Sequence, residues 1–395
     1  MNLRLVSAAH SLWAFSRVLS TFAGVIALSA SGVAFAAENA DTPFVWSLPK
    51  WVPAPIVPAD NPMSREKAEL GRHLFYDAGL SANRAMACAT CHIQAKAFTD
   101  GKAVPLGVTG EKGLRSAMSL ANVAYLPVLT WANPQVTSLE KQALTPLFGE
   151  HPVEMGMSGR EKEMFARFKA MPKYRELFAK AFPAEAVQGD AALYSLATMT
   201  RALASFQRGL LSFESPYDQF KYGKKPNAIG PAAKRGEKLF FGERLECYHC
   251  HGGFNFTDNL QHSRLPHAER GFHNTGLYNL DGKGAYPSNN PGIAEFTGDE
   301  ADMGKFRTPS LRNIAVTAPY MHDGSIASLE QVIRQHYALG GRAAGQKSGA
   351  NPLRSGMVAG FEVSAREVAD LVTFLKSLTD PVFLRNPAFA DPWVR

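Results

Sequence analysis

Two C-x-x-C-H motifs are the residues of this chain best suited to chemistry, and they use all four of its cysteines. Two thiols one helical turn apart can form thioethers to the vinyl groups of one porphyrin, and the histidine that follows can bind the iron. The sequence therefore predicts two covalently bound haem c groups. The residues predicted to hold them are Cys88, Cys91 and His92 in the first motif and Cys247, Cys250 and His251 in the second.

Other interpretations of the cysteines explain less of the pattern. A disulfide framework gives neither trailing histidine a role, and neither does a zinc site with four cysteine ligands. A thioredoxin-like redox motif is expected once, beside a βαβ pattern, whereas this motif occurs twice.

The N-terminal segment indicates export. Residues 1–36 carry Arg4 and Arg17, an apolar stretch and a small-residue cleavage site that ends near Ala36, as secretory signal peptides do. The apolar stretch is shorter than the ~20 residues that span a bilayer, which predicts a periplasmic protein without stable membrane insertion. The formal charge of +7 is spread along the chain, which argues against nucleic-acid binding and is compatible with an acidic protein partner.

An internal repeat predicts the domain organisation. An amphipathic helix ending in Leu-Phe precedes each motif, over residues 71–75 and 236–240, and residues 115–122 are echoed by 307–313. We therefore expect a mainly α fold with two cytochrome c-like domains, each with one covalently bound haem, and long connecting loops. The first covers residues 37–222, with a helical connector from Met164 to Ser212. The second covers residues 223–395, after a linker from Gly223 to Gly230, and its residues 252–306 are expected to be loop.

A histidine and a tyrosine lie on the inward face of a helix in the second domain. Ser328 and Gln331 form a capping box and Gly340 supplies a stop, which predicts one helix over residues 329–339. His336 and Tyr337 then face the core. They are either structural core residues or, beside an iron that lacks a second ligand, candidates for that position.

The first domain presents an amide and a carboxylate instead. Thr137 and Glu140 are expected to cap a short helix that carries Gln142 inward and is closed by Pro146. Glu154 follows in a loop that can reach the same haem. One such group can move a proton between peroxide oxygens while the other orients them, although an inward Gln and a loop Glu also commonly form structural hydrogen bonds.

With these residues in place, the chain resembles the bacterial di-haem cytochrome c peroxidase and MauG superfamily, and it looks most like the MbnH family of di-haem enzymes. The resemblance covers nearly the whole chain after the signal segment. The motifs that carry it are residues 60–64, 70–77, 306–313 and 318–324.

The resemblance implies that His92 is the proximal ligand of a five-coordinate, peroxide-reactive haem. Gln142 and Glu154 match the distal glutamine and glutamate of the family, with Glu150 as a rival for the acid. Pro146 matches a distal proline, and Trp131 matches the tryptophan that couples the two haems.

For the second haem the resemblance implies His251 as proximal ligand and His336 as distal ligand, counted from the H-D-G motif. Tyr337 is the alternative if the helix carries a one-residue shift. No methionine lies near, which predicts a haem of lower potential, since Met ligation raises it.

The superfamily also implies a calcium ion between the domains. Thr317 and Pro319 match two carbonyl ligands, while a serine, Ser116, stands where an asparagine ligand is usual.

The function implied is oxidation of a side chain on a periplasmic protein, with hydrogen peroxide as oxidant and long-range electron transfer between the sites. A partner tryptophan converted to kynurenine is the substrate that the MbnH resemblance suggests. The alternative is a conventional cytochrome c peroxidase supplied with electrons by a small cytochrome or cupredoxin. A third hypothesis is an electron-transfer protein without an open iron.

Overall fold

Short helices joined by long loops make up most of the structure, a computed structural model that describes residues 44–342 and 349–394. The predicted signal segment and its cleavage point at Ala36 lie outside the described residues. The α-helices are α1 Arg65–Phe75, α2 Cys88–Cys91, α3 Leu139–Gln142, α4 Leu144–Phe148, α5 Glu161–Ala170, α6 Pro172–Ala181, α7 Pro183–Gln188, α8 Asp190–Leu193, α9 Leu196–Arg208, α10 Pro216–Lys221, α11 Pro231–Phe240, α12 Tyr248–His251, α13 Ala294–Thr297, α14 Leu329–Gln331 and α15 Ala365–Lys376. The mainly α class is confirmed.

Four very short strands interrupt the segment that the sequence predicts as loop, residues 252–306. Strand β1 (Asn259–Leu260) pairs antiparallel with β2 (Glu269–Arg270), and β3 (Phe272–Asn274) pairs antiparallel with β4 (Lys305–Arg307). Two or three residues are too few to show a period of two in the sequence, which is why the strands were missed.

The repeated helices pack in the same way in both halves of the chain. Gly71 of α1 faces α9, and a Cβ at this position would lie 1.9 Å from the carbonyl oxygen of Ala202. Gly236 of α11 faces α15, where a Cβ would lie 2.1 Å from the carbonyl oxygen of Asp370. Each helix that precedes a C-x-x-C-H motif is therefore held against its partner by a contact that only glycine permits.

Two large hydrophobic clusters correspond to the two halves of the chain. The first draws its buried residues mostly from positions 70–210, including the connector helices α5, α6 and α9, with Phe383 added from the C-terminal segment. The second is built from residues 217–378. The boundary between the two predicted domains, at residues 222 and 223, stays a prediction.

Ser212 joins equivalent positions of the repeat. Asn122 and Asn313 both have a left-handed backbone, with φ of 57° and 60°, and each precedes a single 3₁₀ turn. The Asn122 side-chain amide donates to the Ser212 carbonyl at 3.1 Å, and that of Asn313 donates to the Ser212 hydroxyl at 3.0 Å. The last residue of the predicted connector, Ser212, therefore contacts both copies of the repeated motif.

The helix predicted over residues 329–339 starts as expected and then changes its winding. Ser328 accepts from the N–H of Gln331, whose side chain accepts from the N–H of Ser328. After α14 the chain continues as a π-helical segment, Val332–Tyr337. The helical region stops before Gly340, which has a φ of 68°. π-helical turns are rare and often found at functional sites.

No helix within the described ranges is long and apolar enough to cross a membrane.

Candidate functional site

The two motif histidines are held in the same way. His92 donates from Nδ1 to the carbonyl of Phe98 at 2.7 Å, and His251 donates from Nδ1 to the carbonyl of Phe256 at 3.0 Å. A carbonyl only accepts, so Nδ1 carries the proton and Nε2 is left to bind a metal. Both acceptor residues are phenylalanines with a left-handed backbone, an unfavourable conformation for a bulky residue.

Burial lowers the pKa of both motif histidines. The carbonyl of Phe98 opposes that effect at His92, and the carbonyl of Phe256 opposes it at His251. The neutral imidazole, which is the form that binds iron, is therefore favoured at both positions.

The cysteines do not support the competing interpretations. All four lie within the described ranges and all are free thiols. Burial raises the pKa of Cys88 and Cys247 to about 12 and that of Cys91 to about 11, whereas redox-active thiols have lowered values. No metal-capable cluster of the described residues unites the two cysteine pairs. Each pair is followed at once by a histidine whose Nδ1 bonds a carbonyl, the donor set that a covalently bound haem requires.

His336 has a ring nitrogen without a partner. Its side chain is fully buried, and Nδ1 contacts the carbonyl of Arg342 at 3.1 Å. Nε2 is buried and forms no hydrogen bond with any described residue, which is uncommon for a buried polar atom. Burial lowers the pKa of His336 to about 4, so the ring is neutral and able to bind a metal. His336 therefore fits the position of a distal haem ligand.

Tyr337 lies beside the second motif. Burial raises the pKa of its phenol, and the cysteines of the motif, Cys250 and Cys247, contribute to that rise. Its ring centroid is 4.8 Å from that of His336. The π-helical turn thus brings both predicted candidates to the same region, and the unpartnered Nε2 favours His336.

Glu154 lies near the first motif. Burial raises its pKa, and its charge contributes to the raised pKa of Cys88 and Cys91. The adjacent N–H of Met155 donates to the carbonyl of Pro146 at 3.0 Å, which fixes the loop against α4. The rival acid, Glu150, is exposed and accepts from the Ser158 hydroxyl at 3.0 Å. The geometry favours Glu154 as the acid beside the first haem.

The capping prediction for the helix of Gln142 was wrong. Ser138 rather than Thr137 is the N-cap of α3, and its hydroxyl accepts from the N–H of Lys141. Glu140 does not complete a capping box, because its carboxylate accepts from Arg208 at 2.6 Å and from Asn61 at 2.7 Å.

Pro146 does not close this helix either, since it lies inside α4. Gln142 is the last residue of α3 and is partly buried, about one turn before Pro146. The amide, the proline and Glu154 therefore belong to adjoining segments.

Trp131 and the three predicted calcium positions surround one cavity. The indole N–H of Trp131 donates to the carbonyl of Ser116 at 2.9 Å. Ser116, Thr317 and Pro319 line the same cavity, whose volume is about 80 Å³. The Ser116 hydroxyl contacts the carbonyl of Met321 at 3.3 Å. Carbonyl and hydroxyl oxygens suit a hard cation, and calcium at this position stays a prediction.

Several buried or partly buried residues near these groups have no role predicted from the sequence. His322 stacks on Phe306 with ring centroids 3.7 Å apart, and its Nε2 is buried without a partner. Asp258 pairs with His273 beside Cys250. Arg307 is buried in the wall of the Trp131 cavity. The sequence distinguishes the segment around Arg307 only by its resemblance to the family, and a sequence motif does not show whether a side chain is buried.

Comparison with known proteins identifies the class. Residues 65–226 match the family model described as di-haem cytochrome c peroxidase. The chain is 34% identical over 332 residues to the methylamine utilization protein MauG of Methylophilus methylotrophus, covering 84% of this chain and 86% of that protein. It is 34% identical to the cytochrome-c peroxidase IdrP1 of Pseudomonas sp. strain SCT over 374 residues, covering 90% and 92% of the two chains.

A solved structure extends the likeness. The chain is 49% identical to a MauG-like protein associated with microbial copper homeostasis, with a TM-score of 0.84, covering 89% of this chain and all of that one. The chain therefore belongs to the di-haem cytochrome c peroxidase and MauG family. It is an oxidoreductase of that family, whose members carry two c-type haems.

Proposed function

We propose that the chain acts in the periplasm, where it uses hydrogen peroxide at its N-terminal haem to oxidise a side chain of a partner protein. The substrate side chain is a tryptophan, and kynurenine is its product. Each peroxide accepts two electrons and two protons and yields two waters. Conversion of tryptophan to kynurenine removes four electrons, so it uses two peroxides, while water supplies the oxygen atoms and the ring carbon C2 leaves as formate. The two haems supply the redox chemistry, and the residues of the chain position them and move the protons.

The observation that carries this proposal is the buried, unpartnered Nε2 of His336. A second haem bound by two imidazoles has a lower potential than one bound by imidazole and thioether. Oxidising equivalents can then reside on the second haem. A Met-ligated haem at this position would instead receive electrons from a small donor protein. The carbonyl of Arg342 fixes the ring of His336 through Nδ1, so Nε2 can face the iron.

The residues of the first site have distinct roles in this proposal. Glu154, whose pKa is raised by burial, takes a proton from one peroxide oxygen and gives it to the other. Gln142 orients the peroxide through its amide. Trp131 is fixed by its hydrogen bond to Ser116 and would pass electrons between the haems.

The likeness to a MauG-like protein associated with microbial copper homeostasis supports this choice of reaction. The resemblance to the MbnH family is the basis for proposing tryptophan as the target.

The decisive experiment adds peroxide to the fully oxidised holoprotein. We expect a long-lived, two-electron-oxidised state to appear in the absorption and electron paramagnetic resonance spectra without prior reduction. The matched variant is His336→Met, which installs a thioether at the same position and is expected to make the reaction depend on prior reduction of the second haem.

Other results would point elsewhere. A wild-type protein that reacts only after one-electron reduction would be a conventional cytochrome c peroxidase, the activity named for several relatives. Two low-spin ferric haems that ignore peroxide would indicate an electron-transfer protein. Mass spectrometry of periplasmic proteins incubated with enzyme and peroxide would identify the oxidised tryptophan, and its absence would contradict the proposed substrate.

A further inference from the structure

Among the residues that the structure describes, Arg307 is a buried cation without an anionic partner. The residue is 2% exposed, at the end of β4. Its guanidinium donates to the carbonyls of Thr130 at 2.9 Å and Thr308 at 3.2 Å, and to the sulfur of Met118 at 3.2 Å. All three acceptors are uncharged, and a thioether is a weak acceptor. A buried charge is costly unless an opposite charge accompanies it.

Arg312, five residues later, shows what a compensated guanidinium looks like in this fold. It is buried to the same degree, at 1% exposed, and also donates to a carbonyl, that of Phe254. In addition it forms two bonds to the carboxylate of Asp218, at 2.9 and 3.0 Å.

Within residues 44–342 and 349–394, no carboxylate takes the equivalent position at Arg307. The charge of Asp258 raises the pKa of Arg307, but the carboxylate of Asp258 is paired with His273 at 2.5 Å. Burial lowers the pKa of the Arg307 guanidinium to about 9, which still leaves it charged at neutral pH.

The position of Arg307 points to its missing partner. The carbonyl of Met118, whose sulfur contacts Arg307, lies close to the ring of His92. The carbonyl of Pro309, two residues after Arg307, lies close to the ring of His251. Arg307 also lines the cavity of Trp131. Arg307 is therefore linked through Met118 to the surroundings of His92, and through its own segment to those of His251, the two predicted iron ligands.

We propose that Arg307 binds a haem propionate carboxylate at this cavity and so completes a charge pair that the polypeptide leaves open. Guanidinium and carboxylate match in geometry, because two parallel N–H···O bonds can form. The inference rests on the two haems of the family and does not depend on the identity of the protein substrate.

A positive charge held near a haem stabilises the ferrous state more than the ferric state, so removing it lowers the reduction potential. The test measures the midpoint potentials of both haems in the purified holoprotein by spectroelectrochemistry. In Arg307→Gln we expect the ferric-to-ferrous ratio of one haem, measured at the wild-type midpoint potential, to rise about tenfold. For a one-electron couple this corresponds to a fall of about 59 mV in the midpoint potential. Arg307→Lys keeps the charge and should restore most of the potential.

The two haems are distinguished by their spin states, so the potential that falls identifies the owner of the propionate. Arg115→Gln is the matched control, because Arg115 lies over the ring of Phe306 but is already paired with Glu295 at 2.7 Å. We expect no change in either potential for this variant. Unchanged potentials in Arg307→Gln, or a fall of the same size in Arg115→Gln, would overturn the proposal.

A second measurement does not depend on the folding of a variant. In a crystal structure of the wild-type holoprotein, a propionate oxygen should lie within hydrogen-bond distance of Nη1 or Nη2 of Arg307. A water or a free anion as the only additional partner of the guanidinium would refute the assignment.

Discussion

Replacing Arg312 with leucine should destabilise the protein strongly. The change removes two bonds to Asp218 and two to the carbonyl of Phe254. Among the described residues, it leaves the carboxylate of Asp218, which is 2% exposed, with only the N–H and hydroxyl of Ser215 as partners. Removing one partner of a buried ion pair costs about 3–5 kcal/mol, because the other charge stays buried.

This loss also reaches the second haem. The carbonyls of Phe254 and Phe256 belong to the loop that follows the motif, and the carbonyl of Phe256 accepts from Nδ1 of His251. At about 2 °C per kcal/mol for a chain of this size, the melting temperature should fall by roughly 6–10 °C. The haem content after purification should fall as well.

Thermal unfolding of the holoprotein, followed by circular dichroism and by the Soret band, measures both effects. Arg244→Leu is the matched control, since Arg244 also bonds a carboxylate and a carbonyl but is half exposed. Exposed ion pairs contribute little, so its melting temperature should stay close to that of the wild type. Equal shifts for the two variants would refute the argument that burial of the Arg312 pair sets its contribution.

Three further predictions follow from other contacts. Gly236→Ala should destabilise the protein by about 1–3 kcal/mol, because the added methyl meets a backbone carbonyl of α15. Gly356→Ala is the control, since its methyl enters open space. Equal urea midpoints for the two variants would contradict the predicted clash. Glu154→Gln should slow the peroxide reaction about 100-fold or more, while Glu150→Gln should leave its rate unchanged. The wild-type rate should fall as the pH falls through the raised pKa of Glu154, because a protonated carboxyl cannot accept the peroxide proton. A reversed order of the two variants in stopped-flow assays would assign the acid to Glu150. His336→Ala should convert the second ferric haem to high spin or open it to a new ligand, and an unchanged electron paramagnetic resonance spectrum would move the assignment to Tyr337.

Features set by neighbours in the chain could be predicted from the sequence. The spacing of each C-x-x-C-H motif defines a local unit, and the structure gives both histidines the same Nδ1 contact with a nearby carbonyl. The cap formed by Ser328 and Gln331 likewise involves residues three apart and was confirmed. The repeated glycines at 71 and 236 indicated equivalent helices, and the structure shows equivalent packing.

Features decided by distant partners could not be predicted. The carboxylate of Glu140 bonds Arg208 and Asn61, which are 68 and 79 residues away, so it does not form the capping box that the sequence predicts with Thr137.

The sequence alone determined the class of cofactor site and the mainly α fold, because motif spacing and helix capping act over a few residues. Only the tertiary structure shows that, within the part of the chain it describes, Nε2 of His336 has no partner and Arg307 has no counter-charge. Whether a buried polar atom is satisfied depends on every segment that packs around it, and those segments come from both halves of the chain.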